Sequence, residues 1–518
     1  MRDLIIGVDA GTSVIKAIAF TTKGNQIAAT SLPNSYVTLP GGGVEQDAAR
    51  TWTDTVETLR RLVAAVPGLA ERTAAIAVTG QGDGTWLMDQ AGNPVGKGWL
   101  WLDARAAAIV EELRARPGDR RRFEITGTGL AACQQGPQLH WMMKNTPDML
   151  AAAATAFHCK DWLYFRLTGE RATDASEGTF TFGDFRTRAY DDAVLESLEV
   201  TRYRHLLPPM VEGTEHHAPL WAEAAAATGL LGGTPVVLGY VDVMCTGLGA
   251  GLYDRENRPG CTIVGSTGMH MRLAGTPADV TLNDDATGYT MPVPGSASCA
   301  QMQSNLASTL NIDWLLGLAA NLLVSQGVER TPRDLIPLFE QWLAATAPGG
   351  PLYHPYISEA GERGPFVDAH ARAGFIGLSV RHGFPDLARA VVEGLGYAAR
   401  DCYTAIGGVP PEVRFSGGAA RSSALRKILG AVINASTRTS TREEAGAAGA
   451  AMMAAVSIRL YPSMDDCAAE WVTPLLGPVE RPDPALAGLY ERRYAAYAEA
   501  RKVLQPIWRA MSSNQGVS

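Results

Sequence analysis

Short, unbroken apolar runs, each closed by a glycine-rich polar cluster, set the pattern of this chain. Leu4–Val8 reads as a buried strand ending at Asp9, Ala10–Ser13 as a turn, and Val14–Phe20 as a second strand. Lys23-Gly24-Asn25 is a further turn and Gln26–Ser31 a third strand, so a three-stranded meander is expected. Thr51–Val66 has helical periodicity with a polar face, and Ala74–Thr79 is another buried strand.

The same grammar returns later. Pro235–Tyr240 reads as a strand ending at Val241-Asp242, and Gly247–Gly251 as a glycine-rich hinge. Cys261–Val264, the turn Gly265-Ser266-Thr267-Gly268 and Met269–Leu273 form a second hairpin. A strand, a Gly/Ser/Thr turn and a strand, near residue 12 and again near 266, imply an internal duplication. The expected boundary falls near 245–255, giving domains 1–248 and 249–518. Residues 100–230 read as a helical insertion, and 300–345, 386–406 and 420–435 as helices of the second half. Leu486–Leu504 reads as a closing helix that Pro506 should break or kink.

Composition narrows the function. The 518 residues and mean hydropathy of −0.02 are those of a globular chain with more than one core. A net charge of −8 with no basic run disfavours nucleic acid as a partner. The longest apolar run, Ala445–Val456, is short of the ~20 residues that cross a bilayer. Seven dispersed cysteines without C-x-x-C fit a reducing cytoplasm. A soluble cytoplasmic protein with no membrane partner is expected.

Several familiar motifs are missing. Gly92–Gly98 imitates a P-loop but is one residue short between its glycines and lacks the Ser/Thr. No G-x-G-x-x-G follows a strand, no G-x-S-x-G occurs, and the adjacent His216-His217 cannot share a helix face. What remains are three glycine sites. Asp9-Ala10-Gly11-Thr12-Ser13 offers a carboxylate, backbone N–H groups and hydroxyls, the donors that phosphates take and an oxygen that Mg²⁺ accepts through water. Gly265–Gly268 repeats those donors, and Ser416-Gly417-Gly418-Ala419 joins a strand to a helix with room for a flat ring. Each alone also fits an ordinary turn.

In this order the residues resemble the FGGY carbohydrate kinases, nearly end to end. The resemblance is carried by Gly7–Ser13, Trp101–Arg105, Lys160–Leu163, Leu167–Gly169, Ala172–Ser176, Glu362–Pro365 and Arg414–Ala420. Its most specific part is Ala373–Leu378, then Asp386-Leu387, then Ala390–Glu393. The Cys133–Trp141 segment departs from the family at Cys133 and Gln138, which bears on the substrate. The resemblance implies an α/β fold of two actin-like (ribonuclease-H-like) domains around an ATP cleft. It implies ATP and Mg²⁺, with Asp242 as catalytic base and Asp9 organising the metal. Gly11, Thr12, Ser13, Lys16, Ser266 and Thr267 would serve the phosphates, Gly417 and Gly418 would lie against the adenosine, and Ser422 would also bind ATP.

For the acceptor, Thr79–Trp86 is the informative stretch. Relatives acting on glycerol carry Arg-Glu where Gly82 and Asp83 stand, and relatives acting on xylulose carry Met-His after the Gln. Here Gln81 and Asp83 stay polar, and Asp83 suits a vicinal diol. With no Arg or His in the loop to read a carbonyl, a small polyol is expected, bound by Gln81, Asp83, Trp101 and Asp242. The loop is most similar to the family branch that acts on erythritol. A ketopentose (xylulose or ribulose) is the alternative acceptor, and a non-catalytic actin-like binding protein the alternative class. A homodimer is left open.

Overall fold

Leu4–Ala10 is covered on both faces, which is why its apolar run does not alternate. It pairs antiparallel with Val14–Thr21, which pairs antiparallel with Gln26–Pro33, and parallel with Thr73–Gly80. Pro235–Leu238 joins in parallel and Ala218–Pro219 closes the edge, making a six-stranded sheet. The computed structural model describes residues 2–513.

A second six-stranded sheet repeats the order of five of these strands, with its sixth at the opposite edge. Gly260–Val264 pairs antiparallel with Gly268–Ala274 and parallel with Glu412–Ser416, as Leu4–Ala10 does with its neighbours. Cys299–Asn305 completes the meander, Ser436–Thr439 takes the place of Pro235–Leu238, and Tyr289–Pro292 forms the edge. The duplication read from two hairpins extends to five strands of each sheet. The insertion between the hairpin and Pro235 is mainly helical, as expected, and includes Cys159–Thr168 and Ala175–Phe182.

Three expectations need correction. Cys299–Asn305, placed in a helical stretch, is a strand; the helices there are Thr309–Ser325 and Ile336–Ala345. Its glutamines hid the signal, because both are buried yet hydrogen-bonded, Gln301 Nε2 to Thr281 O (2.8 Å) and Gln303 Nε2 to Thr287 Oγ1 (3.0 Å). The closing helix, Pro484–Ser513, runs on through Pro506. Beyond it Trp508 is buried against Tyr356 and Phe366, contacts that offset the ~3 kcal/mol an interior proline costs.

Of the glycines expected to form a hinge, Gly247 and Gly249 lie in a helix, Asp242–Ala250, that packs on the helix Ala445–Ser457, and Gly251 (φ 104°) caps its end. A Cβ on Gly249 would sit 2.1 Å from Ala445 O, and one on Gly449 would sit 2.0 Å from Cys245 O. These glycines let two backbones touch. The alanine-rich helix also lies on the first sheet, where a Cβ on Gly7 would meet Ala447 O at 2.4 Å. An element from late in the sequence thus fills the core of the early sheet. No helix among the described residues is long and apolar enough to cross a membrane.

Candidate active site

Strand Thr73–Gly80 lies between Leu4–Ala10 and Pro235–Leu238, so three widely separated segments end side by side. There they enclose a cavity of about 150 Å³ lined by Thr12, Gln81, Asp83, Trp101 and Asp242. All four residues assigned to the acceptor are therefore brought together. Trp101 Nε1 donates to Thr12 Oγ1 (2.7 Å), which donates to Gln81 Oε1 (3.1 Å), and Gln81 Nε2 donates to Gln46 Oε1 (2.7 Å). The Thr12 hydroxyl is thus engaged toward the acceptor cavity, although it was assigned to phosphate.

Asp83 sits in the left-handed region (φ 54°). Its Oδ2 accepts from Tyr289 OH (2.9 Å) and from the Cys133 thiol (3.5 Å), while Oδ1 is buried without a hydrogen-bond partner. One carboxylate oxygen, not two, remains for a ligand. The far wall comes from the second sheet and its loops: Met269, Tyr289, Met291, Met302 and Arg363.

Arg363 places an arginine in the cavity wall, where none was expected. It arrives from a loop far from residues 79–86, where local sequence could not place it. Its backbone N–H and that of Leu306 both donate to Glu362 Oε1 at 2.9 Å, which fixes the loop. Its Nε donates to Ser304 Oγ (3.1 Å), and its guanidinium lies 5.7 Å from the Trp101 ring centroid. Tyr289 and Gln46 were likewise missed, since nothing in their local sequence marks them.

A larger cavity, about 640 Å³, is lined by Asp9, Lys16, Thr246, Gly417, Gly418 and Glu444 among others. Asp242 and Thr246, one turn apart on the same helix, face the two cavities. Gly417 has φ 95°, and a Cβ there would strike Val264 O at 2.6 Å; a Cβ on Gly418 would meet nothing within 4 Å. The loop hugs the strand and presents open room above Gly418. Lys16 Nζ pairs with Glu444 Oε2 at 2.7 Å, a partner the sequence did not signal. Gly11, Ser13, Ser266 and Thr267 occupy the two hairpin turns and are not wall residues of either cavity. Ser422 is the N-cap of helix Ser423–Ile433, its Oγ accepting from Leu425 N–H at 3.0 Å.

Burial dominates the electrostatics. It pushes the Asp9 carboxyl up to about 6, with Glu444 adding to the rise and Lys16 opposing it. It pushes Asp242 well above the usual carboxylate range, helped by the charges of Asp9 and Glu177 and opposed by the Val243 N–H and Lys160. Asp83 is raised by burial against the hydrogen bonds of Tyr289 and Cys133. Carboxyls held this way take up a proton readily.

Two family models cover most of the chain. The N-terminal domain of the FGGY family of carbohydrate kinases matches residues 4–249, and its C-terminal domain matches residues 260–458. The chain is 57% identical to an erythritol kinase of Brucella abortus, over 99% of this chain and 98% of that one. It is 28% identical to a xylulose kinase of Escherichia coli, covering 98% and 99%. Among solved structures, a xylulose kinase from Rhodospirillum rubrum superposes with a TM-score of 0.87 at 25% identity, covering 98% of this chain and 100% of that one.

Proposed function

The chain belongs to the FGGY family of carbohydrate kinases, and we propose that it transfers phosphate from ATP to a terminal hydroxyl of a four-carbon polyol, erythritol. The observation that carries the acceptor class is the small cavity. About 150 Å³ holds roughly five waters at ~30 Å³ each, the scale of a short polyol. Its free polar groups suit hydroxyls: Asp83 Oδ1 accepts and Arg363 donates, while Phe180 and the three methionines cover carbon. The relative at 57% identity supports erythritol within that class.

Asp242 acts as the base. A carboxylate is far weaker than an alkoxide, so the hydroxyl proton moves to Asp242 as the phosphoryl group transfers and not before. Asp242 lines the acceptor cavity, and Thr246, one turn on along the same helix, lines the larger one, so the carboxylate stands between the two substrates. ATP fits the larger cavity, with adenosine against Gly417, where the loop's path requires glycine, and Gly418, above which there is open room. Gly11, Ser13, Ser266 and Thr267 offer donors to the phosphates from their turns. Lys16 is their compensating cation, and Ser422 acts through the helix it caps. Asp9 is a hard-oxygen ligand facing that cavity and fits Mg²⁺. No group of three or more His, Cys, Asp or Glu among the described residues could hold a metal, so water and phosphate oxygens complete the shell. When bound, Mg²⁺ neutralises charge on the phosphates. Seven buried, unpaired cysteines support work in a reducing cytoplasm.

ADP release under one set of conditions with erythritol, glycerol, xylitol, and D- and L-xylulose and ribulose tests this reading. Erythritol should give the highest kcat/KM. Arg363 also suits a carbonyl oxygen, so a ketopentose ahead by tenfold or more replaces the acceptor and keeps the kinase.

A further inference from the structure

Behind the acceptor cavity, His158, Lys160, Asp161, Asp174 and Glu177 are buried together, none more than 3% exposed. They come from two neighbouring helices, Cys159–Thr168 and Ala175–Phe182, with His158 and Asp174 at the N-caps. Lys160 Nζ donates to Asp161 Oδ1 at 2.7 Å and lies 2.5 Å from Asp174 Oδ2. Asp161 Oδ2 accepts from the backbone N–H of His158 and contacts its Nδ1, both at 3.0 Å.

Two arms lead from this centre to the cavity. In one, Asp174 Oδ1 accepts from Ser176 N–H (2.8 Å) and from the Ser176 hydroxyl, and Ser176 Oγ accepts from Val241 N–H at 3.1 Å. Val241 is the N-cap of the helix that Asp242 begins. In the other, His158 Nε2 lies 3.4 Å from Glu177 Oε2, and Glu177 Oε1 lies under Gly82, 2.9 Å from where a Cβ would stand. Gly82 and Val241 both line the cavity, and that same Cβ would strike Val241 Cγ2 at 2.4 Å.

We infer that Ser176, braced by the Lys160–Asp174 pair, is a positioning residue that fixes Val241 and thereby aims Asp242 at the acceptor. Burying so many charges is a poor route to stability, because desolvation offsets most of what the pairs return. The network ends on the two backbone segments that floor the acceptor cavity, and ordering those segments is what it does. Near-attack geometry is sensitive to shifts of about an ångström, so a small freedom at Val241 costs turnover and not nucleotide affinity. The inference rests on Asp242 being the base.

Ser176→Ala isolates the link, since Lys160 stays paired with both Asp161 and Asp174. Steady-state kinetics with erythritol should show kcat down at least tenfold, the ATP KM within twofold of the parent, and cooperative thermal unfolding retained. Ser176→Thr, which keeps the hydroxyl, should recover most of the loss. If Ser176→Ala does not fold, Asp174→Asn, which removes one of the two carboxylates paired with Lys160, is read by the same criteria. A kcat within twofold of the parent overturns the inference. So does an equal worsening of kcat and of both KM values with a lowered melting temperature, the mark of general structural damage. Asp242→Asn run in parallel separates the two readings. If it is inactive while Ser176→Ala is unaffected, the base stands and the positioning role falls; if it is fully active, the base itself is misassigned.

Discussion

Tyr289, on the edge strand of the second sheet, donates a 2.9 Å hydrogen bond to Asp83, in the loop that follows the first sheet's strand Thr73–Gly80. The carboxylate proposed to read the acceptor is therefore oriented from across the cleft. Without the phenol, Asp83 loses the partner that fixes Oδ2 and leaves Oδ1 aimed at the ligand. A hydrogen bond to a charged group contributes about 1.5–3 kcal/mol, or roughly ten- to 150-fold in binding. Tyr289→Phe should raise the acceptor KM by that factor and leave the ATP KM unchanged. Asp83→Ala should raise it further. Steady-state kinetics with each substrate varied in turn checks both.

Asp242→Asn keeps the shape of the side chain and removes its affinity for a proton. Loss of a positioned base typically costs ~10²–10⁴-fold in rate. Turnover should fall into that range while nucleotide binding, followed by calorimetry, stays within a few fold. Wild-type turnover would place the base elsewhere.

Arg363 supplies donors that the loop after Thr73–Gly80 lacks. Arg363→Met removes them and the contact with Trp101 while keeping an apolar stem of similar length. The acceptor KM should rise tenfold or more, and Arg363→Lys should recover only part, because a single ammonium cannot reproduce a planar fork. Comparing erythritol with 1,2-butanediol sharpens the test. If Arg363 reads the distal hydroxyls, the substitution should cost the diol much less than it costs erythritol.

What was legible in the sequence was local and periodic. The hairpins around Gly11 and Ser266 could be placed because short apolar runs end in turn residues, and their repetition revealed the duplicated sheet. The acceptor residues Gln81, Asp83, Trp101 and Asp242 converge because the parallel strands that precede them are neighbours. Gly249 and Gly449 were opaque for a physical reason. A glycine that admits a second backbone looks the same in sequence as one that bends its own, and only the partner 2.0–2.1 Å from each missing Cβ distinguishes them. Arg363 and Tyr289 were opaque because their role depends on which loops of the second domain face the first. Thr12 and Lys16 offer donors that the fold also engages with Gln81 and Glu444, and Ser422 Oγ accepts from the helix it caps.

His270 provides a prediction about stability. It lies on Gly268–Ala274, immediately after the second glycine hairpin, and is only 4% exposed. Its Nε2 is 3.1 Å from Asn305 Oδ1 and its Nδ1 3.2 Å from Thr262 Oγ1, so the neutral ring is satisfied at both nitrogens. Burial pushes its pKa down to about 4, against the opposing bond to Asn305. An unfolded histidine titrates near 6.5. Above that value both states are neutral and the contribution of the buried ring is fully present. As pH falls from about 6.5 to about 4, only the unfolded chain takes the proton, and stability drops by ~1.4 kcal/mol per pH unit. His270→Gln cannot take that proton. The variant should be less stable than the parent at pH 7.5, and that deficit should shrink by roughly 2–3 kcal/mol by pH 4.5. Urea unfolding of both proteins at the two pH values measures it. A difference between them that does not change with pH would mean that the ring accepts its proton in the folded protein as readily as in the unfolded chain.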